Sequence, residues 1–236
     1  MNKFLFLLIT TIVVIATLVF FLSYENRNKS LQSDTVEKNN INASDNANQS
    51  SNSAVSPGAS SVEQSPANAF QPPLNRAGER VTKKKFGQYI TPQNSPVQPE
   101  KFSGYHTGTD FEIFPEELDA DVPVKAVCDG KLLSARTASG YGGLTIQSCE
   151  LDNEPITVLY GHLNIASVKF KAGDEIKAGD VLRSLGADKS TQTDGERKHL
   201  HLGFHKGSAI DIRGYVNLKS ELGNWIDPCS IDPVCK

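Results

Sequence analysis

Methionine occurs once in this chain of 236 residues, at Met1, and histidine only five times. The absence of internal methionine argues against a module that displays a modified lysine on a hairpin between methionines. Four cysteines are present, Cys128, Cys149, Cys229 and Cys235, and none forms the paired Cys-x-x-Cys units of a cysteine-bound zinc. A formal net charge of -3 gives no sign of a nucleic-acid partner. The glycine cluster Gly140-Tyr141-Gly142-Gly143 has no Lys-Ser or Lys-Thr step and no helix after it, which excludes a phosphate cradle. From Asn26 to about Asn75 large apolar residues are scarce among Ser, Asn, Gln, Ala and Pro, so this stretch cannot bury enough surface to fold.

What precedes that stretch is apolar. Phe4 to Leu22 is an almost unbroken hydrophobic run of about 19 residues, about 28 Å long as a helix and matched to the hydrocarbon core of a bilayer. Ser23-Tyr24-Glu25 follow it in place of an Ala-x-Ala cleavage pattern, which favours an uncleaved signal anchor over a removed signal peptide. No cysteine lies near its end, which excludes a lipoprotein. Lys3 on one side faces Arg27 and Lys29 on the other, too few charges to set orientation. An even cysteine count behind a membrane-targeting segment points to disulfides outside the cytoplasm, in the periplasm or cell wall. Of the three pairings that four cysteines allow, Cys128 with Cys149 would join neighbouring strands, and Cys229 with Cys235 would staple the C-terminal tail.

The chain thus divides into a transmembrane anchor (1–24), a disordered linker (25–85) and one folded domain (86–236). The linker has a root-mean-square reach of roughly 40 Å. Lys83-Lys84-Lys85 with Arg80 reads as its solvated end. In the domain, Val122–Val127, Lys131–Ala135, Leu144–Ser148, Ile156–Tyr160, Val181–Leu185 and His199–Phe204 are short runs between turns, the pattern of a mostly β, antiparallel sheet or sandwich. The near-repeat Lys171-Ala-Gly-Asp174 and Lys177-Ala-Gly-Asp180 suggests a tight double hairpin.

Four of the five histidines fall into three signatures: His106-Thr-Gly-Thr-Asp110, Tyr160-Gly-His162-Leu163 and His199-Leu-His201. Singly each has a bland reading. The first is a polar turn, since Gly108 and Thr109 disfavour a helix. The second places His162 at the mouth of a strand, and the third puts two histidines on one face of a half-buried strand. Jointly they read as a zinc site with three protein ligands and two spare imidazoles. Structural zinc usually has four protein ligands, whereas hydrolytic zinc keeps a position for water or substrate.

These three signatures, in this order, resemble those of the LytM and lysostaphin type of zinc metallopeptidase, whose fold is the duplicated hybrid motif. The resemblance covers roughly Phe86 to Pro228. It implies one zinc ion per domain held by His106, Asp110 and His201, with His162 and His199 catalytic and not bound to metal. It also implies peptidoglycan peptides as substrate. Glu196-Arg197-Lys198 stands where a Thr-Gly-Pro type of approach is frequent, and Leu202-Gly203-Phe204 where Phe-Glu-Val-like residues are common. These departures leave the chemistry alone and bear on substrate preference. In this reading the two spare histidines share the roles of accepting the water proton, stabilising the oxyanion and returning a proton to the leaving amine.

The competing expectation is a LytM-type domain that binds wall polymer or activates other hydrolases without catalysis. Such relatives typically lose zinc or catalytic residues, and this sequence keeps all five. His205, evenly spaced from His199 and His201, reads as a polar strand-end residue.

Overall fold

A computed structural model describes residues 69–167 and 170–236. Among them no helix is long and apolar enough to cross a membrane; the expected span Phe4–Leu22 and the linker up to residue 68 lie outside the described residues. The expected linker end at residue 85 moves to before Phe70. Phe70, Leu74 and Ala77 are in the main core, and a one-turn helix, α1 (Ala77–Arg80), packs beside them. The basic run is not a solvated tail end either. Arg80 and Lys84 are buried, Arg80 on Glu117 and Lys84 on Glu100.

The domain is built on an antiparallel series of long strands. β5 (Gly130–Ala138), β6 (Gly142–Leu151), β7 (Glu154–Gly161) and β11 (His199–Lys206) lie side by side in the order 5-6-7-11. Two-residue β9 (Glu175–Ile176) extends the β5 edge. Along its other edge β11 pairs first with β3 (Gly108–Glu112) and then with β13 (Trp225–Ile226). One small sheet joins β1 (Tyr89–Ile90), β2 (Gly104–His106) and β12 (Tyr215–Val216). The other joins β4 (Pro123–Lys125), β10 (Val181–Leu185) and β8 (Leu163–Asn164).

The expected runs coincide with β4, β5, β6, β7, β10 and β11. Strand alternation explains why: in β11, Leu200, Leu202 and Phe204 enter the main core, so His199 and His201 share the opposite face. Here both faces are buried, from His199 through Phe204.

Two expectations change. His106-Thr-Gly-Thr-Asp110 is no turn but the end of β2 and the start of β3, and Gly108 is what lets β3 lie against β11. A Cβ there would sit 2.4 Å from the Leu202 carbonyl oxygen and 2.7 Å from His201 Nε2. The two Lys-Ala-Gly-Asp segments are turns, each closed by its aspartate accepting the lysine N–H at 2.8 Å. Yet β9 between them pairs with β5, and β10 after them pairs with β4 and β8, so no double hairpin forms. The disulfides are Cys128–Cys149 and Cys229–Cys235, with Cα separations of 6.1 and 5.0 Å. The first ties the segment before β5 to β6, and the second closes the tail.

Candidate metal centre and active site

β11 is the floor of the site, because its two histidines face different partners across one strand boundary. In register, His201 is opposite Asp110 and His199 is opposite Glu112. On the other edge His201 is opposite Gly161. A Cβ at Gly161 would fall 2.4 Å from the Tyr141 ring, so glycine before His162 makes room for that aromatic.

Three donor atoms converge. His106 Nε2 and His201 Nδ1 are 3.0 Å apart, and Asp110 Oδ1 is 3.3 Å from the first and 3.2 Å from the second. A tetrahedral centre with bonds of about 2.0–2.1 Å has edges of about 3.3–3.4 Å, so this triangle has the size of one face of a zinc coordination shell. The proton positions agree. His106 Nδ1 lies 3.2 Å from the Lys85 carbonyl, which can only accept, so that nitrogen carries the proton and Nε2 keeps its lone pair. Burial lowers the pKa of His201 to about 4, which keeps the ring neutral as a ligand must be. Burial opposes ionisation of Asp110, yet His199 and His106 beside it hold the carboxyl well below the usual range. Among the described residues the group consists of these three, with no fourth protein ligand.

The two expected catalytic histidines stand next to that triangle and outside it. His162 follows β7 directly with φ 64°, a left-handed conformation that a non-glycine residue adopts only when its surroundings impose it. Its Nδ1 donates to the Thr193 carbonyl at 3.3 Å, and His199 Nδ1 donates to the Arg197 carbonyl at 2.8 Å. With Nδ1 so engaged, Nε2 is the remaining nitrogen of each ring. The rings are 4.3 Å apart between centroids, and His199 Nε2 is 3.3 Å from Asp110 Oδ2. Burial, helped by His199, holds the His162 pKa well below its ordinary value.

All five residues line one cavity of about 320 Å³. One wall is aromatic, with Phe102 stacked on Tyr215 at 5.5 Å and 13°. Tyr215 also receives a hydrogen bond from Lys84 Nζ at 3.1 Å, and Lys84 is paired with Glu100 at 2.5 Å with both side chains buried. Tyr141 packs 5.6 Å from His162 and 5.4 Å from His201 between centroids, and its hydroxyl is buried without a partner. Burial raises the pKa of that phenol, so it stays protonated. Glu196 and Arg197, from the segment before β11, and Ile212 to Gly214, from the segment before β12, also line the cavity.

Arg197, in the approach to β11, also touches the site: its guanidinium reaches Asp110 Oδ2 at 2.9 Å. The sequence signal was an arginine two residues before His199, which alone does not say where the side chain turns. Tyr141, Lys84 and Glu100 carried no motif. His205 is no part of the cavity lining; it packs edge-on against Trp225 at 4.9 Å and lies 3.9 Å from Asp211.

Residues 104–212 match the family model of peptidase family M23. The chain is 30% identical over 119 residues to Endolysin 2638A of Staphylococcus phage 2638A, a match that covers 50% of this chain and 23% of that protein. This chain thus aligns with less than a quarter of that relative's length. Among solved structures it is similar to the catalytic domain of the antimicrobial peptidase lysostaphin from Staphylococcus simulans. There the identity is 20% and the TM-score 0.46, over 68% of this chain and 97% of that one. It is also similar to LytU, with 26% identity and a TM-score of 0.43 over 63% of this chain and 81% of that one.

Proposed function

We propose that the chain, whose residues 104–212 match the family model of peptidase family M23, is a membrane-anchored zinc metalloendopeptidase of the LytM and lysostaphin type that hydrolyses peptide bonds of peptidoglycan. The observation that carries this reading is the triangle of His106 Nε2, Asp110 Oδ1 and His201 Nδ1, with edges of 3.0 to 3.3 Å. These residues would hold one zinc ion. Zinc held there would supply Lewis acidity for a bound water, whose pKa such a metal lowers to about 7, and for the scissile carbonyl.

The protein's own groups do the proton work. His162 and His199 are oriented by backbone carbonyls through Nδ1, so each offers Nε2 to accept a proton from water or to return one to the leaving amine. A proton taken up by His199 Nε2 is stabilised by Asp110 Oδ2 at 3.3 Å. The aromatic wall of Phe102 and Tyr215 suits the backbone and aliphatic parts of a peptide. The apolar run Phe4–Leu22 serves as anchor and the Ser- and Asn-rich stretch after it as tether. Both disulfides favour a domain outside the cytoplasm, in the periplasm or cell wall, where wall peptides lie. Remodelling of the producing cell's own wall suits an anchored enzyme.

The test is incubation of the full chain, purified in detergent, with peptidoglycan, following the release of new amino termini with and without chelator. His162→Ala and His199→Ala are expected to abolish release while retaining about one zinc per chain; Asp110→Ala is expected to lose both. Zinc loss in either histidine variant refutes their assignment as non-ligands. A wild-type chain that binds zinc and wall polymer but releases nothing from any wall type points to the alternative, a non-catalytic domain that activates other hydrolases.

A further inference from the structure

We propose that Arg197, clamped by Glu112, is a positioning residue that restricts Asp110 to a single oxygen toward the metal. The inference rests on the zinc reading above but not on hydrolysis. The two oxygens of Asp110 have separate surroundings. Oδ1 faces His106 and His201, whereas Oδ2 faces Arg197 Nη2 at 2.9 Å and His199 Nε2 at 3.3 Å. A carboxylate left to itself can bind a cation through one oxygen or both. In a centre with three protein ligands, the second oxygen would take the position that a hydrolytic site leaves to water or substrate. The guanidinium on Oδ2 removes that option.

The clamp is built for the purpose. Asp110 and Glu112 are two apart on β3 and so share a face, and Arg197 lies across both carboxylates. Its Nε is 2.9 and 3.1 Å from the two Glu112 oxygens. Lys83 Nζ adds a contact to Glu112 at 3.2 Å. Glu112 also offsets the positive charge that Arg197 brings beside a metal ligand. Arg197 also sets a second group, since its backbone carbonyl accepts the His199 Nδ1 proton at 2.8 Å. Lysine could not replace it, because a single ammonium cannot bridge two carboxylates in a fixed plane.

The test uses the full chain in detergent, with zinc affinity measured by chelator competition and the visible spectrum of the cobalt-substituted protein as readout. Arg197→Gln is expected to weaken zinc about 10- to 100-fold. Its cobalt absorption should lose intensity as the second Asp110 oxygen enters and the coordination number rises. Arg197→Lys should fall between it and the wild type. If Arg197→Gln does not fold, Glu112→Gln, which loosens the clamp without removing it, should move both readouts the same way by a smaller amount. Wild-type zinc affinity with an unchanged cobalt spectrum in the folded variant overturns the proposal, even if its melting temperature falls, because that pattern marks a merely structural ion pair. Zinc uptake without hydrolysis by the wild type would sink the peptidase reading and leave this one standing. No zinc uptake overturns both.

Discussion

Removing residues 1–85, the cut that composition alone suggests, is expected to unfold the domain, whereas removing residues 1–68 is expected to leave it folded. The shorter fragment loses Phe70 and Leu74, both in the main core, and burying two such side chains contributes about 1.5–3 kcal/mol each. It also loses Lys84, which leaves Glu100 buried beside no cation. Breaking a buried pair by removing one partner costs about 3–5 kcal/mol. Arg80 goes too, with its two contacts to Glu117 at 2.6 and 2.7 Å. The loss is on the order of 10 kcal/mol against a total stability of about 5–15 kcal/mol for a domain. The site feels it directly, because the Lys84 carbonyl accepts the Asp110 N–H at 2.9 Å and the Lys85 carbonyl accepts the His106 Nδ1 proton. Urea titrations of the 69–236 and 86–236 fragments, followed by circular dichroism, read the difference. Equal midpoints for the two fragments would refute the reasoning.

Other expectations are separable from that one. Gly108→Ala should force β3 off β11, since the new Cβ meets backbone at 2.4 Å; a stability loss of about 1–3 kcal/mol together with weakened zinc binding would appear in melting curves taken with and without metal. For Glu100, burial opposes ionisation, but Lys84, the Phe102 N–H and the Ser95 hydroxyl outweigh it and hold the carboxyl below its usual range. Its folded pKa therefore lies below the unfolded value of about 4.3, so its contribution is complete above that pH and is lost as pH falls through the folded pKa. Glu100→Gln should flatten the acid limb of the urea midpoint below about pH 5 while lowering the midpoint at neutrality; an unchanged acid limb argues against the pair. Replacing both Cys128 and Cys149 by serine should cost about 3 kcal/mol, and the shorter Cys229–Cys235 loop about 2 kcal/mol, an order that denaturation of the two double variants checks.

The sequence is legible where one side chain's chemistry suffices and opaque where the partner is remote. Alternation exposed β11 and the common face of His199 and His201, and apolar runs exposed β6, β7 and β10. Of the three possible disulfide pairings, the one that would join neighbouring strands and staple the tail is the one found. β3 escaped notice because Gly108 and the threonines beside it give it the composition of a turn, and only the close approach of Leu202 and His201 on β11 explains the glycine. Arg80 and Lys84 looked like a solvated basic tail because their counterions, Glu117 and Glu100, come later in the chain. The segment around Leu74 is too poor in apolar residues to suggest a core element, yet Phe70, Leu74 and Ala77 are buried.

Register accounts for the division of labour between two histidines that local sequence hardly distinguishes. His201 is opposite Asp110, and its Nδ1 joins the donor triangle; His199 is opposite Glu112, a second carboxylate at the same spacing. Left free, Glu112 would offer His199 the same kind of partner that Asp110 offers His201, and a competing ligand would stand beside the first. Arg197 and Lys83 engage that carboxylate instead, and the Arg197 carbonyl fixes the proton of His199 on Nδ1. In the proposed mechanism two rungs of one β ladder, with the Leu200–Phe111 rung between them, serve as a ligand pair and a base, and what separates them is a guanidinium contributed from the loop before β11. By the same argument, the three signatures alone do not assign the roles of the two histidines on β11. The assignment also depends on Glu112 and Arg197, which lie outside all three.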